Sequence, residues 1–288
     1  MQTINITGVP EHFNFPWKKI IESQPISEVE LKWIDEPRGS GAMNQAIREE
    51  ITDLAIILTE SFIKDVSEGN KGKIIGFHVQ SPLTWGIHIP AAAPVEDISQ
   101  LKDTPFLISR YGSGSHLMAY LLTKQHQWDP KSLQFDIIHN LEGAREAFKS
   151  GEVRTFLWEK FTTKPYVDKG EMKRIGEIPT PWPCFVIVAS AAALEKYPEQ
   201  IKAIQKELYK ISALIQEEKK SFTDQISLYY QIKPADIEAW LEQTEWAIDA
   251  SISKAALEQT MQILLDLDLI DNKMTLDELV AEDFVELI

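Results

Sequence analysis

The sequence has little cysteine, no long apolar run and no excess of positive charge. Its 288 residues include one cysteine, Cys184, so no disulfide can form within the chain. No window approaches the roughly 18 apolar residues that a membrane-spanning helix needs, which excludes membrane insertion. The 44 aspartates and glutamates outnumber the 29 lysines and arginines, giving a formal net charge of −15. Because a negative surface repels nucleic acid, we expect no nucleic acid among the partners.

Glycine is absent after Gly176, and this last part of the chain is also the most acidic. From Phe185 onward there are 9 basic and 20 acidic residues, a net charge of 9 − 20 = −11. The apolar spacing there predicts consecutive helices at residues 198–220, 221–230, 234–247, 251–266 and 275–282. Pro198 and Pro234 stand where two of these helices begin, a position that favours proline. We interpret the acidic residues as a solvated helical surface.

The start of the chain, MQTINITGVPEHF, lacks the basic residues and apolar core of a secretory signal. As written, the sequence predicts a cytoplasmic protein. Removal of a leader would instead make it periplasmic or exposed at the cell surface.

Short apolar strands alternate with helical segments before residue 190. TINITGV, FPWKKIIES, EVELKWI and GAMNQAIREE begin the series, which restarts at TPFLIS. Such alternation predicts an α/β fold of two mainly parallel sheets with flanking helices. We expect lobe one at residues 1–89 and 185–288, completed by the C-terminal helices, and lobe two inserted at residues 90–184. The two crossings, near HIPAAAP and PTPWPCF, would form a hinge beside a ligand cleft.

Two glycine-serine-glycine stretches follow predicted strands, PRGSGAM in lobe one and RYGSGSH in lobe two. Ser40 and Ser113 are placed to cap the helices that follow, and the glycines let a ligand approach exposed N–H groups. As a pair in corresponding positions, the stretches would hold an anionic or strongly polar group between the lobes. The alternative is that each is only a capped helix start with turn glycines.

Aromatic and acidic residues also gather after the predicted strands, with Trp85 assigned to the segment after the fourth. Indole and phenol rings can sandwich a flat ligand while carboxylates accept hydrogen bonds from ring amines. The alternative is that these aromatic side chains only pack between the domains. The candidate ligand-binding residues are Glu11, His12, Phe13, Arg38, Gly39, Ser40, Thr59, Glu60, Ser81, Trp85, Arg110, Tyr111, Gly112, Ser113, Gly114, His116, Trp158, Glu159 and Trp182.

Sequence signatures of catalysis and of cofactor binding are missing. Neither glycine stretch is followed by Lys-Ser/Thr as in a P-loop, and neither has the spacing of a dinucleotide fingerprint. RYGSGSH is no nucleophile elbow, because Ser115 lacks the following glycine. The histidines have no metal-ligand spacing, and Cys184 begins an apolar strand as an inert small residue. We therefore assign no catalytic residue, cofactor or metal.

Several stretches resemble type II periplasmic-binding-protein-like proteins. They are GVPEHFNFPW, DLAIILTES, SPLTWGIHI, SRYGSGSH and FLWEKFTTKPYVDKGEMKRIGEIPTPWPCFVIVAS. The resemblance is to the branch that contains solute receptors for sulfonates, taurine, nitrate and thiamine-precursor pyrimidines. Fungal thiamine-pyrimidine synthases share this fold. The resemblance covers most of residues 1–190, and the C-terminal helices match only in general style.

This resemblance implies a two-lobed, hinged protein that binds a small molecule between its lobes, with an ABC transporter permease as a partner of exported members. Residues carried over from the family are His12, Gly39, Ser40, Thr59, Ser81, Arg110, Gly112, Ser113, Gly114, Trp158 and Trp182. The synthases carry a cysteine cluster and hold pyridoxal phosphate through a lysine, and a chain with one cysteine does not support that activity.

Three hypotheses stay open at this point. The first is a non-catalytic solute-binding protein, with Arg110 and the two helix starts holding an acceptor group. The second is an enzyme on the same fold, with His12 or His116 as the acid or base. The third is a cytoplasmic ligand sensor whose acidic helices bind a partner protein.

Overall fold

The computed structural model describes residues 2–288. The chain divides into two compact units, of which the first is formed by two separate segments. Unit 1 comprises Met1–Pro82 and Pro181–Ile288, and unit 2 comprises Leu83–Thr180. The strand at Thr84–Pro90 pairs with strands of unit 2 and therefore belongs to that unit.

The first segment of unit 1 alternates strands and helices as predicted. Each strand of this segment is followed by turn residues or by the start of a helix. The apolar residues of these strands and helices are buried in one core. The elements are β1 (Gln2–Gly8), α1 (Phe15–Ser23), β2 (Val29–Asp35), α2 (Ser40–Arg48), β3 (Leu54–Leu58), α3 (Thr59–Ser67) and β4 (Lys73–Val79).

Unit 2 contains three elements that the sequence analysis did not assign, the strands β5 and β9 and the helix α6. Helix α6 contains Pro165, which removes one backbone N–H donor. Because proline is unfavourable inside a helix, the sequence did not indicate a helix there. The elements are β5 (Thr84–Pro90), β6 (Phe106–Ile108), α4 (Gly114–Gln125), β7 (Phe135–Ile137), α5 (Leu141–Phe148), β8 (Thr155–Glu159), α6 (Lys160–Asp168) and β9 (Met172–Pro179).

The second segment of unit 1 begins with a strand and continues mainly as helices. Pro198 and Pro234 are the first residues of two helices, as predicted. The helix expected at 275–282 is only four residues long, and a short strand pair was not foreseen. The elements are β10 (Phe185–Ala189), α7 (Ala191–Lys196), α8 (Pro198–Glu217), α9 (Lys219–Tyr230), α10 (Pro234–Gln243), β11 (Ser251–Ile252), α11 (Lys254–Asp266), α12 (Leu276–Leu279) and β12 (Glu286–Leu287).

The main sheets of the two units have the same topology. The strand order is β2-β1-β3-β10-β4 in unit 1 and β7-β6-β8-β5-β9 in unit 2. In each sheet the fourth strand in this order, β10 or β5, runs antiparallel to its neighbours, while β1 and β6 pair in parallel with the strands beside them. The strands β1, β3 and β4 therefore correspond to β6, β8 and β9, and the expected α/β fold with two mainly parallel sheets is confirmed.

Continuous apolar strands form the centre of each unit. In unit 1, every residue of β3 and β10 is buried, as expected for central strands covered on both faces. Trp17 and Phe62 add large buried rings from the helices α1 and α3. In unit 2, Phe156 on β8 packs with Phe148 of α5. Buried apolar area of this kind, at about 25 cal/mol per Å², holds the strand ends in fixed positions.

Candidate functional site

The two sheets have equivalent third strands, and a glutamate lies at or within two residues of the end of each. In unit 1, β3 ends at Leu58, and Thr59 and Glu60 are the first residues of α3. In unit 2, Glu159 is the last residue of β8 and the N-cap residue of α6. Ligands of open α/β sheets bind beyond the carboxyl ends of the strands. These two places are therefore the first candidates for contact with a ligand.

The carboxyl group of Glu60 is buried and only one of its oxygens is satisfied. Its Oε2 accepts a hydrogen bond from the indole N–H of Trp182 at 2.8 Å. Its Oε1 has no hydrogen-bond partner among the described residues, and the residue is 1% exposed. Burial raises the pKa of Glu60 to about 7, because the loss of hydration outweighs the hydrogen bonds that favour the charged form. Near neutral pH the group is therefore divided between acid and carboxylate.

Thr59 places a second polar atom next to this carboxyl group in the chain. The residue is 0% exposed, and its hydroxyl has no hydrogen-bond partner among the described residues. Its backbone N–H donates to the carbonyl of Cys184 at 3.0 Å, which ties the start of α3 to the proline-rich segment carrying Trp182. Because buried polar groups are nearly always paired, two such atoms on adjacent residues are an unusual feature.

His12 and Phe13 belong to an aromatic cluster in the same unit. They lie in the short 3-10 helix after β1, where the ring of His12 is 4.3 Å from that of Trp240 and Phe13 is 5.3 Å from Phe185. Burial lowers the pKa of His12 to about 3, so the imidazole is neutral at physiological pH. A group with so low a pKa is poorly matched to acid–base catalysis near pH 7.

The backbone of this turn is held by two side chains that the sequence analysis did not select. The carbonyl of Phe13 accepts a hydrogen bond from Trp246 Nε1 at 2.9 Å and lies 2.8 Å from His78 Nε2. Trp240 and Trp246 stand on or after α10, more than 200 residues from Phe13 in the sequence. No local pattern links such distant positions, so only the fold reveals the cluster.

Glu159 uses its carboxyl group inside unit 2. Its Oε2 accepts backbone hydrogen bonds from Phe161 at 2.9 Å and Thr162 at 2.6 Å, which caps α6. Burial raises the pKa of Glu159 to about 7, although these two N–H groups act in the opposite direction. The carboxyl group of Glu159 thus stabilises the start of α6.

Trp85 and Trp158 form an aromatic pair in unit 2. Trp85 lies inside β5, so its expected place in a segment after the fourth strand was wrong; β5 was not recognised in the sequence. The two rings are 6.5 Å apart and nearly perpendicular, and Trp158 also stacks on Phe156 at 5.4 Å. Trp85 is buried, and its indole N–H has no hydrogen-bond partner among the described residues. Its N–H is therefore a candidate donor to a ligand.

The stretch RYGSGSH is a helix start stabilised by its own residues. Ser113 is the N-cap residue of α4, as predicted, and accepts a hydrogen bond from the backbone of His116 at 3.4 Å. The N–H of Gly112 donates to Nδ1 of His116 at 3.1 Å, which requires a φ of +76° that glycine adopts without strain. The carbonyl of Arg110 accepts from Ser113 at 3.2 Å. The ring of His116 packs against Phe135 at 4.7 Å, so it supports this loop.

The stretch PRGSGAM differs from RYGSGSH in two ways. It follows the edge strand β2, whereas RYGSGSH follows β6, the counterpart of β1, so the expected corresponding positions were wrong. Ser40 does not cap its helix: Gly39 is the N-cap residue, and the hydroxyl of Ser40 accepts a hydrogen bond from the backbone of Leu58 at 3.1 Å. Arg38 is exposed and forms a two-bond ion pair with Glu36.

The remaining candidates have structural contacts of their own. The hydroxyl of Ser81 accepts a hydrogen bond from the backbone of Glu245 at 3.0 Å. The carbonyl of Glu11 accepts from Asn14 at 3.1 Å and shapes the turn after β1. Tyr111 is 62% exposed, and Gly114 is the first residue of α4.

The fold therefore brings two sets of candidates together, one in each unit. In unit 1, Thr59, Glu60 and Trp182 meet at the end of β3, and the cluster of His12 and Phe13 reaches the neighbouring strand β10 through Phe185. In unit 2, Trp85, Trp158 and Glu159 meet where β5 pairs with β8. The first set carries unsatisfied polar atoms beside an indole, which suits recognition of a small polar molecule.

Neither a membrane span nor a metal cluster is present in the part of the chain that the structure describes. Within residues 2–288, no helix has the length and hydropathy needed to cross a bilayer. The same residues contain no group of three or more histidine, cysteine, aspartate or glutamate side chains that could hold a metal ion.

Solved structures with this architecture are periplasmic-binding-protein-like, so the chain has the type II periplasmic-binding-protein-like fold. The CA3427 gene product of Candida albicans has a TM-score of 0.87 and 24% sequence identity, over 100% of this chain and 99% of that one. It is described as defining a new family with the generic periplasmic binding protein fold.

Residues 85–178, which form nearly all of unit 2, match the family model of Ca3427-like periplasmic binding proteins. A comparison with curated protein sequences finds no match.

Two bacterial proteins share the fold at lower identity. The alkanesulfonate-binding protein SsuA of Xanthomonas axonopodis pv. citri, solved with bound MOPS, has a TM-score of 0.81 and 12% identity, over 100% of this chain and 99% of that one. A zinc-bound ligand-binding component of an ABC-type import system from Staphylococcus aureus has a TM-score of 0.74 and 16% identity, over 98% and 97%. Resemblance to type II periplasmic-binding-protein-like proteins, expected from the sequence, is confirmed at the level of the fold.

Proposed function

We propose that this protein is a non-catalytic binding protein for a small polar solute. The observation that carries the proposal is the pair Thr59 and Glu60, whose buried hydroxyl and carboxyl oxygen have no partner among the described residues. Such atoms are costly in a folded protein, at about 1–3 kcal/mol each, unless a bound molecule satisfies them. Their place after the third strand of unit 1 is where α/β folds bind ligands.

Residues of both units contribute to this proposed function. Thr59 and Glu60 supply the polar contacts of unit 1, where Trp182 orients the Glu60 carboxyl group. Trp85 and Trp158 supply aromatic surface and one indole donor from unit 2. In this proposal, Arg110 and the start of α4 contact the acceptor groups of the ligand. Glu159 supports α6 and is not among the proposed contacts.

Two proteins with the same fold support a transport role in this proposal. SsuA is an alkanesulfonate-binding protein, and the Staphylococcus aureus relative is the ligand-binding component of an ABC-type import system. We therefore propose an ABC transporter permease as the protein partner. The acid–base enzyme has no comparable support, because the pKa of His12 is lowered to about 3 and His116 packs within its own loop.

Direct binding measurements test the proposed function. Purified protein is titrated by calorimetry with a panel of aminopyrimidines, amino acids and sulfonates that includes MOPS, and each bound compound is recovered for mass spectrometry. We expect one chemical class to bind and to be recovered unchanged. Trp158→Ala should weaken that binding about tenfold, which corresponds to about 1.4 kcal/mol.

Trp128→Ala is the matched control, since this tryptophan is also half-buried in unit 2 but stacks on His126. Equal affinity in Trp158→Ala and the wild type would remove unit 2 from the proposed site. Chemical conversion of the ligand would contradict the non-catalytic role.

A further inference from the structure

The unsatisfied atoms of unit 1 define a donor–acceptor pattern. Oε1 of Glu60 can accept hydrogen bonds when the carboxyl group is ionised, and also when the group is protonated on Oε2. Oε2 is already engaged by Trp182 Nε1 at 2.8 Å, which orients the carboxyl group and leaves the buried Oε1 as the oxygen without a partner among the described residues. The hydroxyl of Thr59 adds one donor and further acceptor capacity on the adjacent residue.

The glutamate at the end of the corresponding strand of unit 2 accepts hydrogen bonds from its own helix. Glu159 receives two backbone N–H groups from the first turn of α6. Glu60 follows the same kind of strand but stands inside its helix, so its Oε1 is not used as a cap. The difference leaves an acceptor in unit 1 that the fold itself does not need.

Ligand classes differ in what they offer to such an acceptor. Amidines, aminopyrimidines and ammonium groups carry N–H donors, and the cationic ones also favour an ionised carboxyl group. A sulfonate carries a negative charge and only acceptor oxygens, so it would face the ionised form of Glu60 as a like charge. The indole of Trp182 adds a flat apolar surface beside the carboxyl group, which suits a planar ligand.

We infer that the solute is an N–H donor of the amidine or aminopyrimidine type, bound by Oε1 of Glu60 and the hydroxyl of Thr59, rather than a sulfonate. The inference rests on the proposed function, since it names the ligand class of the same site.

The test compares two probes that share a ring and differ in the polar group. Benzamidine and benzenesulfonate are titrated into the wild-type protein, with 4-aminopyrimidine as a neutral N–H donor. We expect at least one N–H donor to bind about tenfold more tightly than benzenesulfonate, the ratio that one charge-assisted hydrogen bond supplies. Small molecules retained by the purified protein are identified by mass spectrometry in parallel.

Three isosteric variants make the test specific. Glu60→Gln should weaken binding of the N–H donor about tenfold, and Thr59→Val about threefold, because each removes one hydrogen bond of the site. Glu159→Gln is the matched control at the equivalent strand end and should change the affinity less than threefold. Since the two unit 1 groups are unsatisfied without ligand, their variants should melt no lower than the wild type, whereas a purely structural role would lower the melting temperature.

The outcomes separate this inference from the proposed function. Tighter binding of benzenesulfonate, a retained molecule without an N–H donor, or equal losses in Glu60→Gln and Glu159→Gln would overturn the ligand class and leave the solute-binding function standing. Absence of any bound probe, panel compound or retained molecule would overturn both.

Discussion

Glu60 and Glu159 lie near the ends of corresponding strands in two units of the same topology, and their carboxyl groups have different partners. Glu159 is the last residue of β8, whereas Glu60 is the second residue of the helix that follows β3. Both are buried, and burial raises both pKa values to about 7. Glu159 accepts two backbone N–H groups, while Glu60 accepts one indole N–H and keeps a second oxygen unsatisfied. A glutamate near the end of a strand can therefore have different roles. The partners of each polar atom distinguish a structural group from one available to a ligand.

The largest effect should come from Trp182, which holds the Glu60 carboxyl group in place. Trp182→Ala removes a buried ring and leaves both carboxyl oxygens without a side-chain donor, so we expect the free energy of unfolding to fall by about 3–5 kcal/mol. Trp158→Ala, with a half-buried ring in unit 2, should cost clearly less. Urea denaturation measures both, and equal losses would show that Trp182 has no special link to Glu60.

The next effect should appear at Glu159, the glutamate that acts as a cap. Glu159→Ala removes both hydrogen bonds to the start of α6, and we expect a loss of about 1–2 kcal/mol of stability. Glu60→Gln should cause no comparable loss, since its Oε1 satisfies nothing in the protein. Chemical denaturation of the two variants side by side decides this, and a larger loss at Glu60 would reverse the assigned roles.

A smaller effect should appear in the pH dependence of stability. Both glutamates have a folded-state pKa of about 7, above the unfolded value of about 4.5, so their contribution is complete at low pH and is lost as pH rises through 7. From pH 6.5 to 8.5 we expect a fall of roughly 1 kcal/mol per carboxyl group.

Histidine titration acts in the opposite direction in this pH window. His12, His78 and His88 have pKa values lowered by burial, so as pH rises from 6.5 to 8.5 each should raise the free energy of unfolding by about 0.4 kcal/mol. This rise is common to the wild type and Glu60→Gln, so the difference between their denaturation curves at pH 6.5 and 8.5 reports Glu60 alone, and the variant should lack a fall of roughly 1 kcal/mol. The same pH dependence in both proteins would show that Glu60 does not titrate there.

The smallest effect should come from the hydroxyl of Thr59. Thr59→Val replaces a buried, unsatisfied hydroxyl with a methyl group of similar size, so stability should stay constant or rise by a few tenths of a kcal/mol. Thr163→Val in unit 2 is the contrast, because that hydroxyl lies 2.8 Å from His88 Nε2 and donates to Glu159 O at 3.1 Å. Thermal denaturation should show a loss only for Thr163→Val, and a similar loss at Thr59 would reveal an internal partner.

The sequence predicts much of the fold because its strands are short, apolar and punctuated by helix starts. The cap at Ser113 and the helix starts at Pro198 and Pro234 follow from local chemistry and are confirmed. Strand β9 was missed because most of its residues are only half-buried and form no apolar run. Strand β5 was missed because it is defined by pairing with β8 and β9, which lie roughly 70–90 residues further along the chain.

The site prediction that depended on strand ends selected Thr59, Glu60 and Trp182, because ligand contacts follow strands, and as ligand contacts they stay predictions. The prediction that depended on resemblance between short stretches was wrong about corresponding positions. The two glycine-serine-glycine stretches looked alike, but Ser40 bonds to the backbone of β3 while Ser113 caps α4. Whether a buried atom has a partner depends on residues distant in sequence, so the difference between Glu60 and Glu159 could not be read from the chain.

The insertion of unit 2 between two segments of unit 1 fixes an order of events during synthesis. Strand β10 lies between β3 and β4 in the sheet, but it is translated only after the whole of Leu83–Thr180. All of unit 2 therefore leaves the ribosome before β10, the strand that lies between β3 and β4 in unit 1, is synthesised. The sheet of unit 2 contains no strand from later in the chain. Unit 2 can therefore fold first on the nascent chain, whereas β3 and β4 cannot complete their sheet until β10 has been synthesised.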